Sequence, residues 1–363
     1  MSKKGLRYTA IAAGCGLWLL GICIAQADDL DLSVEPAVNP VAWSGDWLVR
    51  GDVVRSAPGG DHLTRLWTRL RYGPTWQIDD QWTLGGALRV DESTVGNDEI
   101  LQNNDNERSR DLALDSLFLS YAPTQNDKLL FGKTVFPFVL SRMLWDPDLR
   151  PAGISYMHEI SFGDEDMFRI TGGGFRGEQM FGDQSRIVAL QLGLTLHQTS
   201  LVSPEFILTG LRFSNLDALV AAGLDRDNET VNGHFADDYA LLDAQFILHI
   251  NTVLPMRLLV DVDRNVKTSD LDKAGRLEFA VGNSFRARGQ EVGIAMQRMQ
   301  REAVLGAFND DDWWFHAGTR GTMLWWAYGI TDQVRFRAAF FRERPDWDSY
   351  STRRLLLDLQ WTL

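Results

Sequence analysis

Charged side chains at every second position of extended segments are the groups in this sequence that could act on a solute. Arg65, Arg69 and Arg71 fall on one face of a segment that also contains Trp67. Guanidinium groups in such a row can guide anions or sugar hydroxyls along a wall, or they can pair with acids of neighbouring strands. Acidic residues are plentiful at equivalent positions of other segments, so the ion-pair interpretation is favoured.

A further group of charges lies in the connection 137–152. If this connection folds into a surrounding wall, its charges would form a constriction and set charge selectivity. If it stays at the rim, its prolines and aspartates would only cap turns. Together with the strands, it supplies the candidates for lining or constricting a passage: Arg65, Arg69, Arg71, Arg89, Lys133, Arg142, Asp146, Asp148, Arg150, Asp243, Asp261, Asp263, Arg335 and Arg337.

Patterns typical of catalysis or metal binding are weak in this chain. The glycine-rich segment 172–177 has no following helix and no Lys-Ser/Thr pair, so it does not predict a phosphate-binding loop. The six histidines show no ligand spacing, and no G-x-S-x-G motif marks a nucleophile. The acidic runs 164–166 and 310–312 could hold divalent cations, but solvated connections explain them better. We therefore predict no catalytic residue, no metal site, no cofactor and no enzymatic activity.

The elements that must position these side chains are strands, because apolar residues alternate with polar or small ones along most of the chain. Between residues 190 and 196, for example, every second residue is leucine. No convincing helical stripe competes with this pattern. About 16 strands are predicted, at 42–55, 63–78, 81–93, 111–122, 128–136, 153–162, 167–176, 185–197, 205–214, 239–251, 255–265, 275–285, 289–299, 315–330, 333–343 and 352–363.

The predicted connections differ in length in a regular way. Those after odd-numbered strands are often long, as at 94–110, 137–152, 215–238 and 300–314, whereas those after even-numbered strands are typical of tight turns. Long loops on one rim and short turns on the other are typical of a transmembrane antiparallel up-and-down β-barrel. The predicted fold class is therefore all-β, with one barrel in one domain.

Composition agrees with a barrel and excludes other classes. The chain has 363 residues, a mean hydropathy of −0.18 and a formal charge of 36 − 49 = −13. This hydropathy excludes a bundle of transmembrane helices, and the acid excess argues against a nucleic-acid partner, which requires a basic surface. Two cysteines can form neither a disulfide scaffold nor a four-thiolate zinc site.

The N-terminus has the pattern of a secretory signal peptide. Three basic residues precede an apolar run at about 9–24, and an A-x-A cleavage site follows at 25–27. We predict a signal peptide at residues 1–27 and a β-barrel at residues 28–363, with a mature charge of 33 − 49 = −16. An uncleaved membrane anchor and a lipoprotein acylated at a cysteine are less favoured alternatives.

One region of the chain resembles a known family. It consists of F-G-K at 131–133, V-F-P-F at 135–138 and M-L-W-D-P-D-L-R-P-A-G at 143–153. Together these motifs resemble the putative porin family of Gram-negative bacteria. The segments 65–72 and 81–93 are also similar to alginate-export and phosphate-selective porin barrels.

The resemblance implies a water-filled channel in the outer membrane of a Gram-negative bacterium, crossed by small hydrophilic solutes or ions through passive diffusion. The alternatives are a substrate-specific polysaccharide or anion channel, and a non-conducting barrel that serves as an adhesion or structural surface. Expected partners are the solutes, outer-membrane lipid and lipopolysaccharide, and the machinery that assembles such barrels. A homotrimer is a further expectation.

Two more patterns agree with a barrel in a membrane. The terminal strand alternates up to Leu363 and is similar to the strand that outer-membrane assembly machinery recognises. Tryptophans near predicted strand ends, among them Trp43, Trp47, Trp313 and Trp314, predict aromatic girdles at the membrane surface.

Overall fold

The computed structural model describes residues 41–55, 62–94, 112–163, 165–177, 184–196 and 201–363. The predicted signal peptide and its cleavage site lie outside the described residues, so the division at residues 27 and 28 stays a prediction. Most of the described chain is β-strand. No helix in these ranges is long and apolar enough to cross a membrane.

Sixteen strands of the described chain close into one antiparallel barrel, which confirms the predicted fold class and strand number. Each strand pairs with its neighbours in the ring, and β1 pairs with β18 to close it. The barrel strands are β1 (Val41–Arg55), β2 (Leu63–Gln77), β3 (Trp82–Ser93), β4 (Ala113–Tyr121), β5 (Asp127–Lys133), β6 (Ala152–Phe162), β7 (Asp166–Arg176), β8 (Arg186–Thr195), β9 (Val202–Ser214), β12 (Ala240–Ile250), β13 (Met256–Asn265), β14 (Lys273–Gly282), β15 (Gln290–Met299), β16 (Thr319–Gly329), β17 (Val334–Pro345) and β18 (Thr352–Thr362). A hairpin of β10 (Thr230–Val231) and β11 (His234–Phe235) lies apart from the ring.

The wall forms because alternate residues of each strand face different environments. In β8, Leu190 is exposed on the outer surface, whereas Ala189 and Gln191 are buried on the inner side. An apolar outer face is favourable against lipid, and closure leaves no unpaired strand edge in the membrane. The period of two in the sequence therefore sets which charges point inward.

The connections form long loops on one rim and short turns on the other. The start of β1 and the end of β18 lie at the rim with the short turns. Three long connections shape the interior, and we name them loop 3 (residues 134–151), loop 5 (residues 215–239) and loop 7 (residues 300–318). Loop 5 contains β10, β11 and a short helix α1 (Asp217–Ala221), and loop 7 contains a 3-10 turn (Gly306–Phe308).

Aromatic side chains mark the rim with short turns. Trp47 stacks on Trp361 with ring centroids 4.7 Å apart, and the nearby Trp43 is exposed. These positions fit the predicted girdle, since amphipathic rings favour the membrane surface. The prediction is wrong for Trp313 and Trp314, which are buried because loop 7 folds into the barrel.

Candidate functional site in the barrel lumen

Loop 3 leaves the wall at a glycine in β5. Gly132 has a φ of +112°, and a Cβ at this position would lie 2.3 Å from the Leu117 carbonyl oxygen of β4. Only glycine tolerates both this backbone conformation and this close approach. The glycine of the F-G-K motif therefore lets β5 pack tightly on β4 just before the chain turns inward.

Apolar side chains hold loop 3 inside the barrel. The Trp145 ring stacks on Phe136 at 4.0 Å and on Phe308 of loop 7 at 5.7 Å between centroids. Met143 and Leu149 are buried in the same cluster. Because this apolar area is removed from water only when the loop is inside, its burial favours the inward position over the rim.

Loop 7 also folds into the barrel, where it pairs with loop 3. The Asp146 N–H donates to the Phe308 carbonyl oxygen at 2.7 Å, and the Asp310 N–H donates to the Arg142 carbonyl oxygen at 3.1 Å. The Arg142 guanidinium also forms an ion pair with Asp310. Sequence analysis missed this second inward loop, although the mostly apolar stretch 303–308 was an available indication.

Asp312 fastens loop 7 to the wall. Its carboxylate lies 2.6 Å from Arg50 of β1, 3.2 Å from Arg337 of β17 and 3.5 Å from Arg142 of loop 3. Arg354 of β18 donates to the Asp312 carbonyl oxygen at 3.0 Å. Charge-assisted hydrogen bonds are stronger than neutral ones, so this residue is the main polar anchor of the loop.

The acidic run 310–312 is therefore not a solvated connection, as the sequence suggested. Its three carboxylates approach within 4.8 Å of one another, and Asp310 and Asp312 are buried. Arginines neutralise these two residues, as buried charges require. The expectation failed because the sequence does not show that loop 7 enters an arginine-rich interior.

The three arginines of β2 face the lumen, and all of them are ion-paired. Arg65 donates to Asp52 of β1 at 3.0 Å. Arg71 lies 3.2 Å from Asp148 of loop 3, and Arg69 pairs with the same carboxylate. The row therefore attaches the end of loop 3 to β2, which agrees with the favoured ion-pair interpretation.

Four other candidates have polar partners close to them in the fold. Asp146 and Arg150 lie in loop 3 itself, and Arg89 lies on the inner face of β3. Lys133 stands opposite the exposed Leu117 of β4, so it lies on the outer face and does not line the lumen as predicted. Arg150 lies 3.6 Å from Asp115, and the Lys133 ammonium group donates to the Leu114 carbonyl oxygen at 2.7 Å. The Asp146 carboxylate accepts a hydrogen bond from the Asp148 N–H at 2.7 Å, and Arg89 forms an ion pair with Asp91.

The two candidates on β17 lie nearer the rim with short turns. Arg335 donates to the Ser284 hydroxyl at 2.7 Å and lies 3.3 Å from Glu291. Arg337 lies 3.3 Å from Asp358 of β18, in addition to its contact with loop 7. These pairs lie on the inner wall, between the two inward loops and the rim with short turns.

The candidates Asp243, Asp261 and Asp263 lie on the inner faces of β12 and β13 and are buried. Loop 3 covers this part of the wall, where the Gln245 side chain donates to the Val139 carbonyl oxygen at 3.2 Å. These carboxylates therefore belong to the contact between loop and wall rather than to the open passage.

The charged groups that reach open space are mainly guanidinium groups. Among the inner ion pairs, the most exposed side chains are Arg142 at 45% and Arg257 at 41%. The most exposed acids, Glu159 and Asp148, reach 30% and 29%. Arg142 and Arg257 both interact electrostatically with Glu278, so they lie on one side of the lumen. A solute there meets more positive than negative charge.

Loop 5 contacts loop 7 through a carboxyl group with a shifted pKa. Asp227 accepts a hydrogen bond from the His316 N–H at 3.0 Å. Burial raises the pKa of Asp227 from 3.8 to about 6, and the hydrogen bond and Arg226 oppose only part of this rise. The folded protein therefore binds this proton more tightly than the unfolded chain does.

We expect the contact between loops 5 and 7 to weaken with rising pH. Because the pKa of Asp227 is raised on folding, its stabilising contribution is complete below pH 3.8 and is lost as pH rises through about 6. The loss is at most about 3 kcal/mol. Asp227→Asn keeps an oxygen for His316 and should reduce the dependence, to which the buried Glu343 carboxyl group that accepts from the Trp314 and Phe315 N–H groups also contributes. Hydrogen exchange of loop 7 amides, corrected for intrinsic rates, checks this, and an unchanged pH profile in the variant would contradict it.

Known proteins with similar sequence or structure are porins. The sequence profile of the family described as Putative porin matches residues 60–257. OprB of Pseudomonas putida at high pH has 12% identity and a TM-score of 0.60, covering 89% of this chain and 94% of its own. OmpF of Salmonella typhi in complex with daunomycin has 10% identity and a TM-score of 0.55, covering 90% and 98%. OmpT of Vibrio cholerae, folded in vitro and in its trimer form, has 12% identity and a TM-score of 0.51, covering 89% and 99%.

At these identities the similarity to solved structures shows the fold alone. Among curated proteins, none matches the sequence significantly. The family profile spans 257 − 60 + 1 = 198 of the 363 residues and includes the F-G-K motif of β5 and the W-D-P-D motif of loop 3. The chain therefore belongs to the putative porin family.

Proposed function

We propose that this protein is an outer-membrane porin through which small hydrophilic solutes or ions diffuse passively. The observation that carries the proposal is a closed barrel of sixteen strands with a charged inner wall and an inward-folded loop 3. A barrel of this size is wide enough for water, and wall charges keep that water inside. The rate of passage is set where loops 3 and 7 narrow the lumen.

The exposed guanidinium groups favour anions within this general function. A solute that passes Arg142 and Arg257 meets positive charge, whereas their partners Asp310 and Glu278 are buried. In a narrow lumen, the charges that lie nearest the passage have the largest effect on the local concentration of counter-ions. This arrangement supports the anion-channel form of the proposal over a cation-selective pore.

Export and assembly complete the proposal. Removal of residues 1–27 would deliver a chain that begins shortly before β1. The protein would insert with its apolar outer face against outer-membrane lipid and lipopolysaccharide. A homotrimer is supported by the trimer form described for OmpT of Vibrio cholerae.

Liposome swelling tests the channel function directly. Proteoliposomes containing the folded protein should swell in sugars at rates that fall with sugar size, because the lumen is a sieve of fixed width. Heat-modifiable gel mobility of the same sample shows that the barrel is folded. A folded barrel that produces no swelling would favour the non-conducting adhesion or structural surface.

A further inference from the structure

Three carboxylates lie on the inner face of two adjacent strands. Asp243 of β12 stands directly opposite Asp263 of β13, and Asp261 precedes Asp263 by two residues on the same face. All three are buried, with exposed fractions of 1% for Asp243 and Asp261 and 4% for Asp263. Like charges placed opposite each other destabilise a sheet, so this arrangement requires a compensating group.

The described residues compensate these charges only in part. Both carboxylate oxygens of Asp261 and of Asp263, and one of Asp243, are buried and meet no donor in good hydrogen-bond geometry among them. Asp243 and Asp261 also approach within hydrogen-bonding reach of each other. The remaining Asp243 oxygen accepts a hydrogen bond from the Gln245 side chain at 2.8 Å. Buried carboxylates that lack good donors are strongly unfavourable, so the contact between Asp243 and Asp261 requires either a shared proton or a cation.

The nearest arginine is already occupied. Arg276 stands opposite Asp261 in the register of β13 and β14 and interacts with it electrostatically. Its guanidinium nitrogens, however, donate to Glu278 at 2.6 and 3.2 Å and to Gln297 at 2.8 Å. Elsewhere on the inner wall, buried aspartates such as Asp52 are held by arginines. The three carboxylates on β12 and β13 depart from that rule.

Loop 3 closes the space above these carboxylates. The Val139 N–H donates to the Gln191 side chain at 3.0 Å, and the Val139 carbonyl oxygen accepts from Gln191 at 2.8 Å and from Gln245 at 3.2 Å. Two residues further along, the Ser141 hydroxyl interacts with Asp261. The acidic group is therefore enclosed between the wall and the loop, and an ion held there would touch both.

We propose that Asp243 and Asp261, with Asp263 adjacent, bind a divalent cation of the Ca²⁺ type that fixes loop 3 to the barrel wall. Oxygen-only donors select hard cations, and Ca²⁺ accepts carboxylate, hydroxyl and water ligands in irregular geometry. The Ser141 hydroxyl would supply the ligand from loop 3. The sequence predicts no metal site, because the donors come from two strands and a loop and their contact is visible only in the fold.

Calorimetric titration of the full-length, detergent-folded protein with CaCl₂ after EDTA treatment tests this site. We expect one saturable site per chain and a Tm that rises with Ca²⁺ concentration. Asp261→Asn should weaken Ca²⁺ binding at least about tenfold. In EDTA the same variant should be no less stable than the unaltered protein, since it removes an unpaired buried charge. Asp243→Asn alters the other proposed ligand, should weaken Ca²⁺ binding to a similar extent, and provides a second variant in case the first does not fold.

The control variant is Asp311→Asn, which alters the other acidic group of the lumen. Arginines neutralise Asp310 and Asp312 on either side of Asp311, so we expect this variant to bind Ca²⁺ as the unaltered protein does. Absence of Ca²⁺ binding by the folded protein would overturn the proposal and indicate carboxyl groups that share protons. Binding lost in Asp311→Asn but retained in Asp261→Asn would also overturn it. Channel conductance does not enter either outcome, so this test is independent of the proposed transport function.

Discussion

Asp312→Asn is expected to loosen loop 7 and to raise the single-channel conductance. The Asp312 carboxylate is the shared partner of Arg50, Arg337 and Arg142, and it is buried between loop 7 and the wall. Removing one partner of a buried ion pair costs about 3–5 kcal/mol, because the remaining charges stay buried without compensation. Planar-bilayer recordings measure the conductance, and urea unfolding measures the loss of stability.

The matched control for this substitution is Asp270→Asn. Asp270 is also an aspartate of a loop on the same rim, but it is exposed. Substitutions of this kind change stability by less than about 0.5 kcal/mol, so conductance and unfolding should stay as in the unaltered protein. If Asp312→Asn behaves like the control in both measurements, loop 7 is not held in the lumen by this carboxylate.

Arg142→Gln is expected to shift the selectivity of the channel towards cations. Arg142 has the most exposed side chain among the inner ion pairs, and loop 3 carries it into the lumen. A unit charge about 4 Å from a passing ion in water changes its energy by about 1 kcal/mol. That is about a fivefold change in the ratio of anion to cation permeability. Reversal potentials in a KCl gradient measure the ratio, and Arg142→Glu should lower it further.

Arg264→Gln is the control for this charge change. Arg264 is also exposed and paired with an aspartate, since it lies 2.7 Å from Asp272. It stands near the end of β13, directly after Asp263, which faces inward. Its side chain therefore points away from the lumen. We expect an unchanged permeability ratio for Arg264→Gln. Equal shifts in both variants would mean that Arg142 acts through the overall charge of the protein and not at a constriction.

The strands and their inner faces could be predicted from the sequence, because one period of two governs both lipid contact and lumen contact. Leu190 faces outward and Gln191 faces inward, as the alternation indicates. A one-residue shift would exchange every lipid-facing and lumen-facing side chain, so the pattern defines the register strongly. The alternation of long and short connections was equally visible, since turn residues cluster after even-numbered strands.

The inward loops could be predicted only in part. Loop 3 was suggested by its motif, yet its contacts with Phe308 and Asp310 depend on loop 7, which comes more than 150 residues later in the chain. The sequence places Trp313 and Trp314 in a girdle, because a tryptophan near a strand end has the same local pattern at the membrane surface and inside the barrel, where both are buried. Whether an acidic side chain is paired or uncompensated depends on contacts between distant segments, and no local pattern encodes them.

Single-channel conductance of the purified, folded protein in a planar bilayer under a KCl gradient tests both the channel and its selectivity. We expect uniform stepwise current increments and a reversal potential with the sign of anion preference. Increments with a cation-selective reversal potential would leave the porin function intact and contradict the role given to Arg142 and Arg257. No increments from a sample whose barrel is folded would contradict the channel itself.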